Sequence, residues 1–246
     1  MARDGGDGTV SVQLTHGAVF PAAQHAVRPE HLLTAQLLPG GNREAAVDLL
    51  VGERQGHYLP LRAGAPADWA IAAITLKASD ITLSDAEVEE YLGELGNPAG
   101  LRPAWEATGQ WRERFQKHVK AIVRTAPGRA SAEAMDAGMI LEFIPQQDPT
   151  TLRPGQILNF RLEYRNQPLA NHRVGIVYAN SHGEVWGQTN AEGYGRFRLA
   201  HPGWALLRSV RIAPSDEPTL EWESHFSTLV FETQHPELVE QAETEY

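Results

Sequence analysis

The strongest constraint on the fold is a strict two-residue alternation of apolar and polar side chains in the second half of the chain. It is clearest at residues 158–164, and this period is typical of a strand with one buried and one exposed face. Further apolar runs, at residues 174–178 and 226–231 among others, are separated by turn-forming residues. About seven such strands within roughly a hundred residues predict an immunoglobulin- or transthyretin-like β-sandwich.

The first half of the chain also predicts strands, but a helical pattern interrupts them. Residues 10–14 alternate in the same way, and residues 69–76 are apolar enough for a central strand. Ser84 and Glu87 then form a capping-box signature, which is typical of the start of a helix. Apolar residues follow at spacings of three and four, and Gly96 is placed to end that helix.

A second helix is predicted to begin near Pro103, a residue that is favoured in the first turn. Its apolar stripe would consist of Trp111, Phe115, Val119 and Ile122. Residues 118–124 fit a strand as an alternative. The two helices together give a predicted insert at residues 84–122.

Residues 126–138 are small or polar and contain proline and glycine, which is typical of a connection between domains. The sequence therefore predicts a mainly β protein of two β-sandwich-like domains. The predicted parts are an N-terminal β domain at residues 9–125 that carries the two-helix insert, a C-terminal immunoglobulin- or transthyretin-like sandwich at 139–233, and flexible ends at 1–8 and 234–246.

Composition excludes several classes of site. The chain of 246 residues contains no cysteine, which excludes disulfides, zinc–thiolate sites, iron–sulfur clusters and cysteine nucleophiles. Its formal net charge of -10 disfavours binding to nucleic acid or to anionic lipid, but leaves an affinity for cations open. No apolar run is long enough for a membrane-spanning helix, and the polar start is not a signal peptide. The protein is therefore expected to be soluble, and either cytosolic or separated from an export leader.

Several short motifs occur in a fixed order along the chain. They are E-E-Y-L-x-E-L-G at residues 89–96, W-R-E-R-F-x-K-x-x-K at 111–120, D-P-x-x-L-x-P-G at 148–155, N-x-P-L at 166–169, T-N-A-E-G-x-G-x-F at 189–197, P-G-W-x-L-L at 202–207 and S-x-F-S-T-L-V-F at 224–231. In their order and spacing the chain resembles the domain of unknown function 4198 family of exported bacterial proteins. Some members are described as periplasmic accessory components of nickel or cobalt uptake. The resemblance implies a periplasmic or secreted protein, with a cytoplasmic one left open.

Histidine is the residue type that could carry metal chemistry here, because neutral imidazole binds nickel, cobalt, copper and zinc. The sequence contains ten histidines but no H-x-x-x-H or H-E-x-x-H motif. The candidate ligands lie at or near predicted turns and strand ends: His16, His57, His182, His201, Glu223 and His225. The alternative is that they are scattered surface or hydrogen-bonded side chains. Members of the resembled family carry a histidine near the mature N-terminus, whereas residues 2–8 contain none, so a metal clip on the terminal amine is not expected.

Catalytic signatures are absent from the sequence. There is no G-x-S-x-G elbow, and adjacent acidic residues such as Glu221 and Glu223 give no evidence of two carboxylates facing each other across a cleft. We therefore expect a non-enzymatic binding protein of the bacterial envelope that captures or passes a divalent metal. The expected partners are a metal ion or an envelope protein, and not nucleic acid. A structural or protein-interaction module is the alternative, and a carbohydrate-active enzyme is the least favoured reading.

Overall fold

The chain folds mainly as β-strands, in a computed structural model that describes residues 1–4, 8–17, 19–64, 67–126, 130–181 and 183–235. Its strands are β1 (Ala2–Asp4), β2 (Thr9–His16), β3 (His25–Ala26), β4 (Leu32–Pro39), β5 (Val47–Asp48), β6 (Leu50–Val51), β7 (Leu59–Gly64), β8 (Trp69–Leu76), β9 (Ser79–Leu83), β10 (Trp111–Arg124), β11 (Leu141–Pro145), β12 (Ile157–Tyr164), β13 (Gln167–Pro168), β14 (Arg173–Tyr178), β15 (Glu184–Gln188), β16 (Tyr194–Arg198), β17 (Gly203–Pro214) and β18 (Trp222–Thr233). The α-helices are α1 (Asp85–Glu94) and α2 (Leu101–Thr108), and single 3-10 turns lie at Pro29–His31, Arg43–Ala45, Ala132–Ala134 and Pro149–Thr151.

Within these described ranges the strands form three sheets. The amino-terminal sheet has the order β1-β2-β7-β6, with β3 also paired to β2. The central sheet has the order β15-β14-β17-β18-β10-β8-β4-β5, with β9 also paired to β10. The carboxy-terminal sheet has the order β11-β12-β13, with β16 also paired to β12.

The central sheet joins the two halves of the chain. Strand β10 from the first half pairs in parallel with β18, the last strand, from the Glu113–Trp222 pair to the Ala121–Val230 pair. Parallel strands are usually covered by other layers on both faces. Both faces are buried toward the carboxy-terminal ends of these two strands, at residues 120–123 of β10 and 229–231 of β18.

The three sheets stack with the central sheet in the middle. On one face, its Ala70, Val123 and Val230 share a core with Val10 and Leu59 of the amino-terminal sheet. On the other face, alternate residues such as Ile122 and Leu229 share a second core with the carboxy-terminal sheet, including Leu141, Leu158 and Phe160. Neighbouring residues of one strand thus belong to different cores, as the two-residue period of a strand requires.

The helical pair covers the lower end of the same central-sheet face on which the amino-terminal sheet lies. The Glu87 carboxylate accepts hydrogen bonds from the Ser84 amide at 2.8 Å and its hydroxyl at 2.6 Å, so the predicted capping box is present. Gly96 ends the helix with a φ of 77°, a left-handed conformation that suits glycine. A small third core forms here, from Val88, Leu92, Trp105, Trp111 and Trp222.

The predicted second helix is wrong beyond residue 108. Residues 111–124 form β10, the longest strand of the described chain, so the helical segment does not extend to residue 122. Trp111, Phe115 and Val119 are spaced for a helix, but they are also odd-numbered and share one face of a strand. The intervening Glu113 and Lys117 lie on that face too. Polar residues on a covered strand face therefore hid the two-residue period.

The start of the chain differs from the flexible end that the sequence predicts. Residues Ala2–Asp4 pair with β2, from Ala2–Val12 to Asp4–Val10. At the other end the Gln234 amide donates to the Leu152 carbonyl, and residues 236–246 lie outside the described ranges. The domain bounds at 9–125 and 139–233 remain a prediction, and strands from both predicted domains, β10 and β18, pair within the central sheet. No helix in the described part of the chain is long and apolar enough to cross a membrane.

Candidate functional site

The six predicted metal ligands are not gathered at one centre. His57 is exposed in the turn before β7, and the His201 ring packs edge-on against Tyr178, with 5.1 Å between ring centres. His182 lies outside the described residues. Across the described ranges, no three histidine, aspartate or glutamate side chains are grouped in a way that could hold a metal ion. Among the described residues, two pairs involve predicted ligands.

The first pair is on the surface of the β2–β3 hairpin. His16 and His25 are cross-strand partners, and their ring centres are 5.1 Å apart. Partial burial, followed by the positive charges of Lys117, His25 and His31, lowers the pKa of His16. His16 is therefore a neutral imidazole near pH 7, the form that can donate a lone pair to a metal.

The second pair extends into a hydrogen-bonded chain of four side chains, of which the two histidines are buried. The Nε2 atom of His225 lies 2.9 Å from Oε1 of Glu223, and its Nδ1 lies 3.1 Å from Nε2 of His118. The Nδ1 atom of His118 in turn lies 3.5 Å from the Thr75 hydroxyl. His118 is 1% exposed and His225 4% exposed, so both rings are shielded from water.

The chemistry of the partners fixes both tautomers. The Glu223 carboxylate is an acceptor, so His225 carries its proton on Nε2 and accepts on Nδ1. His118 must then donate from Nε2 and accept from the Thr75 hydroxyl at Nδ1. Burial and the neighbouring His225 lower the pKa of His118 to about 4, and burial also lowers the pKa of His225. Both rings are thus neutral near pH 7.

This chain of hydrogen bonds does not have the geometry of a metal site. The two ring centres are 5.3 Å apart and the ring planes are inclined to each other by 19°. That separation is close to the 3.1 Å hydrogen bond plus two ring radii, so the two nitrogens point directly at each other. A metal between opposed imidazole nitrogens needs them about 4 Å apart. His225 and Glu223 therefore serve a buried hydrogen-bond network in this structure.

A cleft lies on the face of β10 and β18 that is opposite to the two buried histidines. The helical pair and the amino-terminal sheet cover this face and leave a gap between them. Trp111 lies under the helical pair, and Val119 lies under the amino-terminal sheet. The residues between them on the same face, Glu113, Phe115 and Lys117, line a cavity of about 290 Å³. We call this gap the aromatic cleft.

Three aromatic rings form the floor and one wall of the aromatic cleft. Phe226 meets Phe115 edge to face, with 6.3 Å between ring centres, and stacks on Tyr91 of α1 at 6.4 Å. Ile81 and Leu83 of β9 close the side. The result is an apolar concavity open to solvent along the exposed edge of α1, which carries Glu87, Glu90 and Glu94.

Both carboxylate oxygens of Glu113, at the lower end of the aromatic cleft, accept hydrogen bonds from neighbouring side chains. Glu113 accepts from the Trp111 indole at 2.7 Å and from the Tyr91 hydroxyl at 3.3 Å, and the Ser224 hydroxyl also donates to it. Burial, followed by the negative charge of Glu113, raises the pKa of Tyr91, so its hydroxyl keeps its proton. Glu113 is 2% exposed, and its role is to anchor the lower end of the aromatic cleft to the helix.

Lys117, at the upper end, has a different environment. Its ammonium lies 5.5 Å from the centre of the Phe115 ring and 5.6 Å from that of Phe226. Both contacts are cation–π interactions. Burial lowers the pKa of Lys117. Within the described residues no carboxylate forms an ion pair with it.

The sequence identifies part of these arrangements. Glu223 and His225 stand out because they are polar residues inside an apolar β run, and the structure does join them. His118 and Lys117 are missed, because neither belongs to the apolar stripe of the helix predicted for this segment. The signal that could have found them is the presence of charged residues at alternate positions of a segment with strand-forming ends.

Comparison with known proteins gives a family for the chain. Residues 2–212 match the family described as Domain of unknown function (DUF4198). Among solved structures, the D0-D1 domain of Intimin matches with 10% identity and a TM-score of 0.24, over 94% of this chain and 93% of that one. No curated protein matches the chain. Because the family match spans most of its length, the chain belongs to the domain of unknown function 4198 family.

Proposed function

We propose that this protein is a non-catalytic binding protein of the bacterial envelope, and that its ligand occupies the aromatic cleft. The observation that carries the proposal is the uncovered stretch of central-sheet face between the helical pair and the amino-terminal sheet. On that face of β10, Trp111, Ala121 and Val123 are buried. Phe115 and, on β18, Phe226 are half-buried beside a cavity.

The size of the aromatic cleft limits what it can hold. Its volume of about 290 Å³ is at the lower end of the range for small-molecule sites. It suits a compound of one or two rings, or one side chain of a larger partner. A larger cavity of about 440 Å³ lies beside β1, but its Arg124 is already paired with Asp148 and bonded to Thr150. The aromatic cleft is the better candidate because a smaller share of its lining is polar.

Two features support a binding role over a catalytic one. A general base must reach the proton that it removes, directly or through one water. The histidine chain is buried on the opposite face of the central sheet from the aromatic cleft. Glu113, the carboxylate inside the cleft, is occupied by three donors.

A neutral apolar dye such as N-phenyl-1-naphthylamine tests this proposal. We expect saturable fluorescence enhancement with the wild-type protein, and at least a tenfold weaker affinity for Phe226→Ala, because the floor of the cleft is removed. Tyr194→Ala removes a 43% exposed ring on β16 and serves as the matched control. Equal dye binding by Phe226→Ala and wild type would exclude the aromatic cleft as the site.

The location in the envelope is part of the same proposal, and its support is the likeness to exported members of the family. Fractionation of cells that express the native gene provides the test. Recovery with periplasmic or secreted markers is expected, and recovery only with cytoplasmic markers would remove this part of the proposal while leaving the cleft unaffected.

The exposed His16–His25 pair favours a second candidate function, the capture of a divalent transition metal. Two imidazoles from neighbouring strands can hold nickel, cobalt, copper or zinc, with water completing the coordination. Two protein ligands give weaker binding than a three- or four-ligand site, so we expect micromolar affinity or weaker. Calorimetric titration of wild type, His25→Ala and the control His57→Ala tests it. Absence of heat with all four metals, or identical binding by His25→Ala, would eliminate the metal candidate.

A further inference from the structure

We propose that the ligand of the aromatic cleft is a small compound with an apolar, ring-sized body and a single carboxylate, and that Lys117 binds this carboxylate. This inference rests on the cleft being the binding site. It concerns the chemical class of the ligand, and it is carried by the charge pairing along β10.

Lys117 is the exception among the basic residues of β10. The other four each form an ion pair with a carboxylate: Arg112 with Glu221, Arg114 with Asp80, Lys120 with Glu142 and Arg124 with Asp148. In the described part of the chain Lys117 has no such partner. It is also the one of the five that lines the aromatic cleft. In the described part of the chain, neighbouring segments therefore supply a carboxylate for each lysine and arginine of β10 except Lys117, which faces the cavity.

The environment of Lys117 favours an anion. Withdrawing an ammonium from water costs free energy unless an opposite charge or hydrogen bonds replace the water. Burial lowers the pKa of Lys117, and no acidic neighbour offsets that effect. The two phenyl rings recover only part of the cost. A ligand carboxylate within the cleft would supply the missing charge.

The other groups of the aromatic cleft determine the orientation of the ligand and its charge. Glu113 closes the lower end with a negative charge, so a ligand carboxylate is directed to the upper end at Lys117. The apolar body would then lie on Phe115 and Phe226. A second negative charge would approach the helix edge with Glu90 and Glu94, which disfavours dianions.

A cationic ligand fits less well than an anionic one. Lys117 already forms cation–π contacts with Phe115 and Phe226, and its charge would repel a second cation. The oxygens of Glu113 are taken by their three donors. The exposed Glu90 and Glu94 attract cations only through water-screened interactions at the rim.

Three compounds with one body and different charges distinguish these cases: indole-3-acetate, indole-3-acetamide and tryptamine. In calorimetric titrations near pH 7 we expect the carboxylate to bind at least tenfold more tightly than the neutral amide, and tryptamine to bind least. Lys117→Met should abolish the preference for the carboxylate and leave amide binding within twofold. Lys117→Arg should retain the preference, and Lys77→Met, which changes an exposed lysine elsewhere, should behave as wild type.

The outcomes separate this inference from the proposed function. If the neutral dye binds in a Phe226-dependent way but the carboxylate has no advantage, or tryptamine binds best, the inference is wrong and the cleft remains the site. A carboxylate preference that persists in Lys117→Met also overturns it. If Phe226→Ala does not alter dye binding, the proposed function itself fails.

Discussion

A hydrogen-bonded series joins Glu223, His225 and His118. The carboxylate at one end determines which nitrogen of each ring carries the proton. Glu223 is half-exposed, whereas both rings are buried, so the only charge of the series lies nearest to water. A neutral ring between a carboxylate and a second neutral ring satisfies its hydrogen bonds without placing a cation in the interior. This arrangement makes the stability of the fold sensitive to acid.

The first prediction concerns that sensitivity. The pKa of His118 is about 4 in the folded protein, against its usual 6.5 in the unfolded chain. Between these pH values the unfolded chain binds a proton that the folded protein does not, so the free energy of unfolding falls as the pH falls. For His118 alone the loss is about 2.5 kcal/mol by about pH 4.5. The lowered pKa of His225 acts in the same direction.

Urea unfolding of wild type and His118→Gln at about pH 7 and about pH 4.5 measures this effect. Glutamine cannot take up the proton, so the stability difference between the two proteins should shrink by roughly 2 kcal/mol at the lower pH. His57→Gln changes an exposed histidine and should follow wild type. An unchanged difference between wild type and His118→Gln at the two pH values would contradict the pKa assignment.

At this scale the sequence predicts which residues are unusual but not what they contact. It identifies Glu223 and His225 together, because they are neighbours in one strand. It does not identify His118, because the contact between residues 118 and 225 depends on two strands that are distant in the chain. The pairing of the other β10 cations, which singles out Lys117, is hidden for the same reason.

A comparison of α1 with β10 shows when local sequence signals are enough to predict a secondary-structure element. The boundaries of α1 are predicted correctly, because the capping residue Ser84 and the terminating Gly96 are local chemical signals. The identity of β10 is predicted wrongly, because the spacing of Trp111, Phe115 and Val119 fits both a helix and one face of a strand. Tertiary contacts, with β18 on one side and β8 and β9 on the other, decide between the two.

The second prediction uses two glycines of this helical segment as a matched pair. Gly93 lies inside α1, where an added Cβ meets nothing within 4 Å, so Gly93→Ala should raise the free energy of unfolding by about 0.5–1 kcal/mol. Gly96 has a left-handed φ, and a Cβ there would also collide with the guanidinium of Arg173. Gly96→Ala should lower the free energy of unfolding by about 1 kcal/mol.

Thermal and urea unfolding of both variants measure whether stability rises in Gly93→Ala and falls in Gly96→Ala. The exposed end of the Arg173 side chain can move aside, so backbone strain sets the main cost at Gly96. Stabilisation by Gly96→Ala, or loss of stability in Gly93→Ala, would show that α1 does not end as described.

On the scale of the whole molecule, one sheet makes the two halves of the chain interdependent. The mainly β fold is confirmed, because the two-residue period fixes the strands whatever their partners. Periodicity does not specify which strands pair, and so the sequence could not indicate that β10 would lie beside β18. A C-terminal half alone would expose the edge of β18 that β10 covers.

The third prediction is therefore that the chain unfolds in one cooperative transition. Calorimetry should give a single peak, with the van't Hoff enthalpy equal to the calorimetric enthalpy. Residues 130–246 expressed alone should remain largely unfolded, because β18 would lack the strand on one side. Two separate calorimetric peaks, or a stable fold for that fragment, would instead support two independent domains.

The last prediction concerns the buried ion pair between the central and carboxy-terminal sheets. Lys120 of β10 is 1% exposed, and it donates to the Glu142 carboxylate and to the carbonyls of Met135 and Phe143. Lys120→Met leaves Glu142 buried without its counter-ion, although the amides of Ala137 and Met139 still donate to it. We expect Lys120→Met to lower the free energy of unfolding by about 3 kcal/mol.

Lys117→Met is the matched control for this variant, because it makes the same substitution three residues away on the same strand. Lys117 has no carboxylate partner in the described chain, so its replacement leaves no buried charge uncompensated and should cost less than about 0.5 kcal/mol. If the molecule is one cooperative unit, Lys120→Met lowers the melting temperature of the whole transition. An equal loss in both variants would show that methionine is tolerated poorly in β10 in general, and that the ion pair is not the cause.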